Sequence, residues 1–397
     1  MNAKDQIIFE LLAPAGNLEK LKIAVLYGAD AVYLAGQLFS LRKAANNFSF
    51  SDIKKAISFA HNYRAKVYLT VNAFLHEAET SDLIDYLKEL DRIRPDALIC
   101  SDLGVVTLAK IHTSIPIHVS TQASVINSYH AQIWKDMGAK RIVVGRELSI
   151  REAAQIKENT GLEVEMFVHG AMCMSYSGHC AMSTYVANRD SNRGGCIQNC
   201  RYHYTLKRGD EELSQSYLLS SKDLCGIKLL PEFISSGIDS IKIEGRMKSN
   251  LYIASTVRAY ANAIKDVRSG TADLDKWQQE LEKVPYRGYT EANLKYNAGK
   301  DSVYDQSREI GKDYKMAGTV IDVDEAKKRF AFQVKNKLQI GDTIELMPFR
   351  GEIIDLTIER FEDLSGQDLA VAQPHNVIWL PLHEGVEASN VARVKAL

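Results

Sequence analysis

Apolar runs of β type alternate with amphipathic stretches along the first 245 or so residues, the pattern of parallel strands joined by crossover helices. The candidate strands end near Leu12, Leu34, Val71, Cys100, Ser120, Val144, Val168 and Ile243. Runs such as VYL, ALI, RIVV and IKI are nearly continuous, as expected of strands covered on both faces. Eight such strands with helices between them predict a closed α/β barrel of the (β/α)8, TIM-like type. The intervening segments carry helix signals. Asn17 is placed to cap a helix from 18 to about 27, Ser51 opens SDIKKAISFAHNY, Ser81 precedes DLIDYLKEL and Ser149 precedes IREAAQIKE. Their Leu, Ile and Ala stripes read as core packing.

Between the seventh and eighth strands the spacing leaves more than 70 residues, far beyond a usual βα loop. This insertion holds a cysteine-rich segment and then a predicted hairpin, YHYTLKRG followed by SYLLSS. Past Ile243, GRMKSNLYIASTVRAYANAIKDVRSG reads as a helix closing the barrel and LDKWQQELEKV as another. PYRGYTEANLKYNAGKDS is polar and glycine-bearing, so it reads as a connector. From about Lys315 the period changes to two, in AGTVIDVD, RFAFQV, DTIELM, IIDLTIERF and NVIWLPL, which predicts a small antiparallel β-barrel with a partner-positioning or stabilising role. The expected organisation is a catalytic barrel over 1–270 with the cysteine insertion at 169–225, a helical connector over 271–314, and a β-module over 315–397.

Composition is ordinary for a globular chain, with 46% hydrophobic and 25% charged residues. No run approaches the ~18 apolar residues that span a bilayer, and the first residues match no signal or lipidation pattern, so a soluble cytoplasmic protein is expected. A formal net charge of -1 argues against a generally nucleic-acid-binding surface; any such site must be a local patch.

Four of the six cysteines fall within residues 167–201, as Cys173-x6-Cys180-x15-Cys196-x3-Cys200. A disulfide framework, a structural zinc and an iron-sulfur cluster all compete for them. Zinc prefers tighter pairs than Cys173 and Cys180 form, and a cluster tolerates irregular loops where glycines such as Gly170, Gly178, Gly194 and Gly195 allow close backbone approach. Cys100 reads as a small buried residue. Cys225, beyond the hairpin, could fold back onto the four.

Barrel chemistry collects where strands end. There the sequence places Arg42, Asn72, Gln122, Arg146-Glu147, His169 and Glu244-Gly245-Arg246. Arg42, Arg146 and Arg246 would suit a carboxylate or phosphate; the plainer reading pairs Arg146 with Glu147 and Glu244 with Arg246 as salt bridges bracing the rim. The cysteine insertion also interleaves Arg189, Arg193, Arg201, Lys207 and Arg208 with Tyr185, Tyr202 and Tyr204, a mixture able to grip phosphates and stack an exposed base, or simply to form a solvated loop. Protease chemistry has little support: neither His76-Glu77 nor His383-Glu384 completes H-E-x-x-H, and no G-x-S-x-G occurs.

The run Glu165-x-Phe167-x-His169-Gly170-Ala171-x-Cys173 with Ser177-Gly178-x-Cys180, then Asn192-Arg193-Gly194-Gly195-Cys196 and Cys200-Arg201, resembles the collagenase-like peptidase family of unknown-mechanism class U. LLAPAGN, GADAVYL, STQAS, SSKDL and IKIEGRMKS extend the resemblance over nearly the whole chain. It implies an oxygen-independent hydroxylase with a 4Fe-4S cluster and prephenate as oxygen donor; zinc stays the alternative metal on cysteine spacing. Relatives form 5-hydroxyuridine at the wobble position of tRNA, modify a cytidine of large-subunit ribosomal RNA, or hydroxylate the ubiquinone ring, some of them as two related subunits. Carried over, Cys173, Cys180, Cys196 and Cys200 are the metal ligands, with Cys225 as reserve. A dicarboxylate donor would give the rim a purpose, so Arg42, Asn72, Gln122, Arg146 and Arg246 are the expected substrate-binding set. His169 is the proton-transfer candidate, grouped with Glu244 as catalytic, and Arg189, Arg193, Arg201 and Tyr202 face tRNA.

Overall fold

The computed structural model describes residues 9–41, 47–306, 310–311 and 313–395. Seven barrel strands come first: β1 (Glu10–Pro14), β2 (Ala31–Ala35), β3 (Lys66–Val71), β4 (Ala97–Cys100), β5 (Ile117–Val119), β6 (Arg141–Val143) and β7 (Glu163–Ala171). The chain then leaves the barrel for a hairpin, β8 (Tyr204–Arg208) and β9 (Glu211–Ser216), and a short β10 (Asp223–Cys225), before β11 (Ser240–Ile243) returns as the eighth barrel strand. β11 pairs in parallel with both β1 and β7, closing the cylinder. The expected (β/α)8 barrel is therefore present, its strands buried on both faces.

Local details differ from expectation where tertiary packing or turn chemistry decides. Ser49, not Ser51, caps the helix Phe50–Asn62, because Asp52 returns a bond to its backbone and completes a capping box. Ser81 lies inside the helix Thr80–Ile93, which grows out of a 3-10 turn and needs no side-chain cap. The hairpin turns back within two residues at Gly209-Asp210, so its second strand is Glu211–Ser216 and SYLLSS is left to lead the chain home.

The stretch read as a connector instead adds β12 (Tyr289–Thr290) beside β10, which itself runs antiparallel along the end of β7. The C-terminal part has β13 (Tyr314–Asp324), β14 (Arg329–Val334), β15 (Leu338–Gln339), β16 (Thr343–Met347), β17 (Ile354–Thr357), β18 (Val371–Ala372), β19 (Val377–Pro381) and β20 (Val391–Lys395). Six of them form an antiparallel sheet in the order β17-β16-β20-β13-β14-β19, a half-barrel bent by irregularities in β13 near Ala317 and Ile321. β20 was not among the expected strands, yet it is central and carries the fully buried Arg393, ion-paired to Glu345 and, across to the helix Leu274–Glu282, to Glu280.

Tyr27 ties the half-barrel to the barrel. Its buried hydroxyl donates to the Met347 carbonyl at 2.6 Å and accepts from the Val391 N–H at 2.9 Å. Tyr27→Phe strands both backbone groups, so urea denaturation should show a loss of about 1–3 kcal/mol.

The interior of the barrel is not a purely aliphatic filling. Glu10, Arg141, Glu165 and Lys242 form a buried chain of alternating charge: Arg141 binds Glu10 and, at 3.3 Å, Glu165, while Lys242 Nζ lies 2.9 Å from the other Glu165 oxygen. The Tyr68 hydroxyl and the Ser240 hydroxyl complete the bonds to Glu10, at 2.7 and 2.9 Å. Burial pushes the Glu10 carboxyl up, but the Arg141 guanidinium outweighs it and holds the group below the usual carboxylate range. None of these charges was legible as an interior layer. Among the described residues no helix is long and apolar enough to cross a membrane.

Candidate active site at the cysteine-lined mouth of the barrel

The strand ends, the cysteine insertion and residues 287–303 together enclose one cavity of ≈ 800 Å³. Cys173, Cys180, Cys196 and Cys200 all line it. Cys173 and Cys196 are exposed and the other two half-buried, with no disulfide among them. Burial pushes the Cys200 thiol up; the Arg201 guanidinium opposes this, and the three other thiols each raise it further. Cys180 is pulled the other way: burial raises its pKa, but hydrogen bonds from the Ser175 hydroxyl and the Met182 N–H prevail and favour the thiolate.

No group of three or more His, Cys, Asp or Glu side chains among the described residues closes tightly enough to hold a metal ion. A single zinc would need its sulfurs about 2.3 Å away. The four thiols that line the cavity supply thiolate, the donor type that iron-sulfur clusters use. Cys225 does not join the wall. It lies buried on β10 with its sulfur 4.0 Å from the Tyr260 hydroxyl, and burial pushes its thiol up to about 11. Cys100 is likewise buried, its thiol pushed up to about 12.

The same cavity presents cations. Arg146 lies over the Phe167 ring, 4.0 Å from its centroid, and its Nε has no hydrogen-bond partner among the described residues. It makes no salt bridge to Glu147, whose two oxygens are taken by the Ser177 N–H and hydroxyl at 2.6 and 2.5 Å. Arg246 is 5% exposed and is fixed by the Asn47 side chain at 2.9 Å and the Thr70 hydroxyl at 3.4 Å. Lys242, which sequence reasoning left in the core, also reaches the cavity, 4.4 Å from the centroid of the Tyr33 ring. Glu244 lines the same space and accepts from the Tyr33 hydroxyl at 3.1 Å. The Asn72 amide donates to Gln122 at 3.2 Å, leaving its buried oxygen without a partner among the described residues and both side chains on the cavity wall. Arg42 lies outside the described residues.

His169 is a correction. A bulge in the pairing of β7 with β11, between the Phe167–Lys242 and His169–Ile243 pairs, breaks the alternation: Phe167 faces the cavity and His169 turns away from it. The ring is 1% exposed among Tyr252, Tyr260 and Tyr289, and burial, with the nearby Lys248 charge, lowers its pKa to about 3. It orders the strand end and is not placed to carry protons. Because the folded state keeps this histidine neutral while the unfolded chain protonates near 6.5, the contribution to stability is complete above that pH and is lost as pH falls toward 3. His169→Gln should therefore flatten the acid limb of the stability profile between those values, read by urea midpoints at a series of pH values.

Of the residues expected to face RNA, Arg201 lines the cavity, held by the Gln198 side chain and the Met172 carbonyl at 3.1 and 3.3 Å. Arg189 and Tyr202 are exposed. Arg193 is a second correction: it binds Glu79 at 2.6 Å and the Phe74 carbonyl, and so fastens the insertion to the barrel. Its guanidinium holds the Glu79 carboxyl down at about 2. Arg287 and Asn293, from the supposed connector, were missed as cavity residues because only the fold brings that stretch back to the mouth.

Residues 16–304 match the profile of peptidase family U32, and residues 312–393 that of the family's C-terminal domain. The chain is 38% identical to tRNA hydroxylation protein P1 of Bacillus subtilis, over 97% of this chain and 94% of that one. It is 33% identical to tRNA hydroxylation protein P of Escherichia coli, over 95% and 94%. The 23S rRNA 5-hydroxycytidine C2501 synthase of Escherichia coli is 32% identical over 92% of this chain and 58% of its own length.

Proposed function

The chain belongs to peptidase family U32, and we propose that it is an RNA-modifying enzyme: a hydroxylase that forms 5-hydroxyuridine at the wobble position of tRNA without molecular oxygen. This reading rests on one observation, that four cysteines line the same cavity as Arg146 and Arg246. The names of the relatives support RNA hydroxylation. Cys173, Cys180, Cys196 and Cys200 would hold a 4Fe-4S cluster, which when bound supplies the redox capacity that hydroxylation without oxygen requires.

The remaining roles fall to this chain's own side chains. Arg146, with an unpaired Nε above the Phe167 ring, and Arg246, locked by Asn47 and Thr70, bind a small dicarboxylate, with prephenate the proposed oxygen donor. The Asn72–Gln122 amide pair offers a buried acceptor to whatever enters beside them. Glu244, held by Tyr33, is the carboxylate at the cavity and takes the catalytic acid-base role that His169 cannot. A cavity of ≈ 800 Å³ has room for a nucleoside turned out of its stack together with a small acid. Arg189 and Tyr202, exposed on the insertion, are placed to meet the RNA backbone and a neighbouring base.

A peptidase built here would need a nucleophile with a base in reach. His169 faces away, and the His179 Nε2 lies 2.6 Å from the Gln122 carbonyl. The test is mass spectrometry of nucleosides from bulk tRNA of a strain lacking the gene. The 5-hydroxyuridine group of nucleosides should disappear and return with the wild-type gene; if it is unchanged, tRNA is the wrong substrate and ribosomal RNA is examined next.

A further inference from the structure

The loop between Cys173 and Cys180 contains one residue whose backbone is held in a costly conformation. Ser177 is 4% exposed with φ 43° and ψ 30°, in the left-handed region that a side chain other than glycine disfavours. Both of its donors, the backbone N–H and the hydroxyl, end on the two oxygens of a single carboxylate, Glu147, at 2.6 and 2.5 Å. Bonds to an ionised carboxylate are strong enough to hold such a backbone. The approach depends on Gly145, where a Cβ would stand 2.6 Å from a Glu147 oxygen and 2.8 Å from the Ser177 hydroxyl.

We infer that Glu147 is a positioning residue for the thiol wall, setting the separation of Cys173 from Cys180 by clamping Ser177 between them. The inference rests on the reading of the four thiols as one ligand set.

The rest of the insertion is fastened independently. Arg193 binds Glu79, and the neighbouring Asn192 grips the backbone of Cys180 in both directions, at 3.4 and 3.2 Å. His179 is bonded to the Gln122 carbonyl at 2.6 Å. Cys180 is therefore held from its far side, and Cys173 follows β7, where the Met172 carbonyl accepts from Arg201 and Ser221 at 3.3 and 3.1 Å; between these two anchors the conformation at Ser177 decides the path of the chain. This also explains why Arg146 stands apart from the glutamate that follows it: the carboxylate is already used.

Glu147→Gln keeps the size of the side chain but offers one acceptor oxygen, turning an amide NH2 toward a Ser177 donor. The full-length wild type and variant would be purified anaerobically, reconstituted with ferrous iron and sulfide, and compared for iron per chain, visible absorption and rate of cluster loss in air. Supporting partners of metal ligands change affinity by about 10–100-fold, and an effect in that range is expected on retention, with the melting temperature nearly unchanged. Adding Ser177→Gly, which makes the left-handed backbone inexpensive, should restore much of the retention. Equal iron and equal loss rates in wild type and E147Q would overturn the proposal.

If the wild type itself takes up no iron and sulfide, the ligand-set reading fails, and hydrogen exchange on the metal-free chain decides the clamp alone. Exchange of the Ser177 amide roughly tenfold or more faster in E147Q supports it. Unchanged exchange removes it.

Discussion

Replacing Cys173, Cys180, Cys196 or Cys200 singly with alanine is expected to reduce retained iron by more than about tenfold after anaerobic reconstitution, and to abolish the hydroxylated nucleoside in a complemented deletion strain. The size follows from ligand chemistry: even partners that only orient a ligand change metal affinity by about 10–100-fold, so loss of a thiolate itself must do at least as much. Cys225→Ala is the control. Its sulfur faces Tyr260 in the packed layer outside the cavity, so this substitution should lower stability slightly and leave the iron in place. Loss of iron in Cys225→Ala, with full retention in one of the other four, would reassign the ligand set.

Arg141→Met should be the most destabilising single substitution in the barrel. Removing one partner of a buried ion pair leaves the other charge uncompensated, a loss of about 3–5 kcal/mol. Here two carboxylates, Glu10 and Glu165, lose a partner inside the barrel. The pH dependence should change with it. In the wild type the folded Glu10 is held below its ordinary value, so its contribution is fully present above about 4.5 and is lost as pH falls through the lower folded value. Without Arg141 the Tyr68 and Ser240 hydroxyls still oppose burial but the guanidinium does not, so the Glu10 carboxyl moves up and acid unfolding should begin at higher pH. Adding Glu10→Gln should recover part of the loss, because the stranded charge is gone. Urea titrations at several pH values measure all three, and a loss under about 1 kcal/mol for Arg141→Met would show the ion chain to be dispensable.

The eight strands were legible because a parallel barrel buries both faces of every strand, so apolar runs appear without knowledge of their neighbours. The charged interior was not, since a lone Glu165 or Lys242 in an apolar strand reads the same whether its charge meets solvent or an opposite charge across the barrel. The cysteines could be grouped from their spacing alone, but not separated from Cys225, which is turned aside by the path of β10. His169 was placed on the reactive face because the seventh strand was taken to end near Val168; β7 instead runs on to Ala171, and its bulge turns the ring from the cavity. Glu147 was assigned to the adjacent arginine because contacts nearby in sequence are the ones that can be guessed; its true partner is 30 residues away. Residues 287–303 look like a linker by composition and become a cavity wall only through pairing of β12 with β10.

The most direct test of the four-thiol centre is iron and acid-labile sulfide analysis of the wild-type chain purified without air. About four irons and four sulfides per chain, with the broad visible absorption of a cluster, are predicted. A colourless, metal-free protein that cleaves peptides would contradict the account.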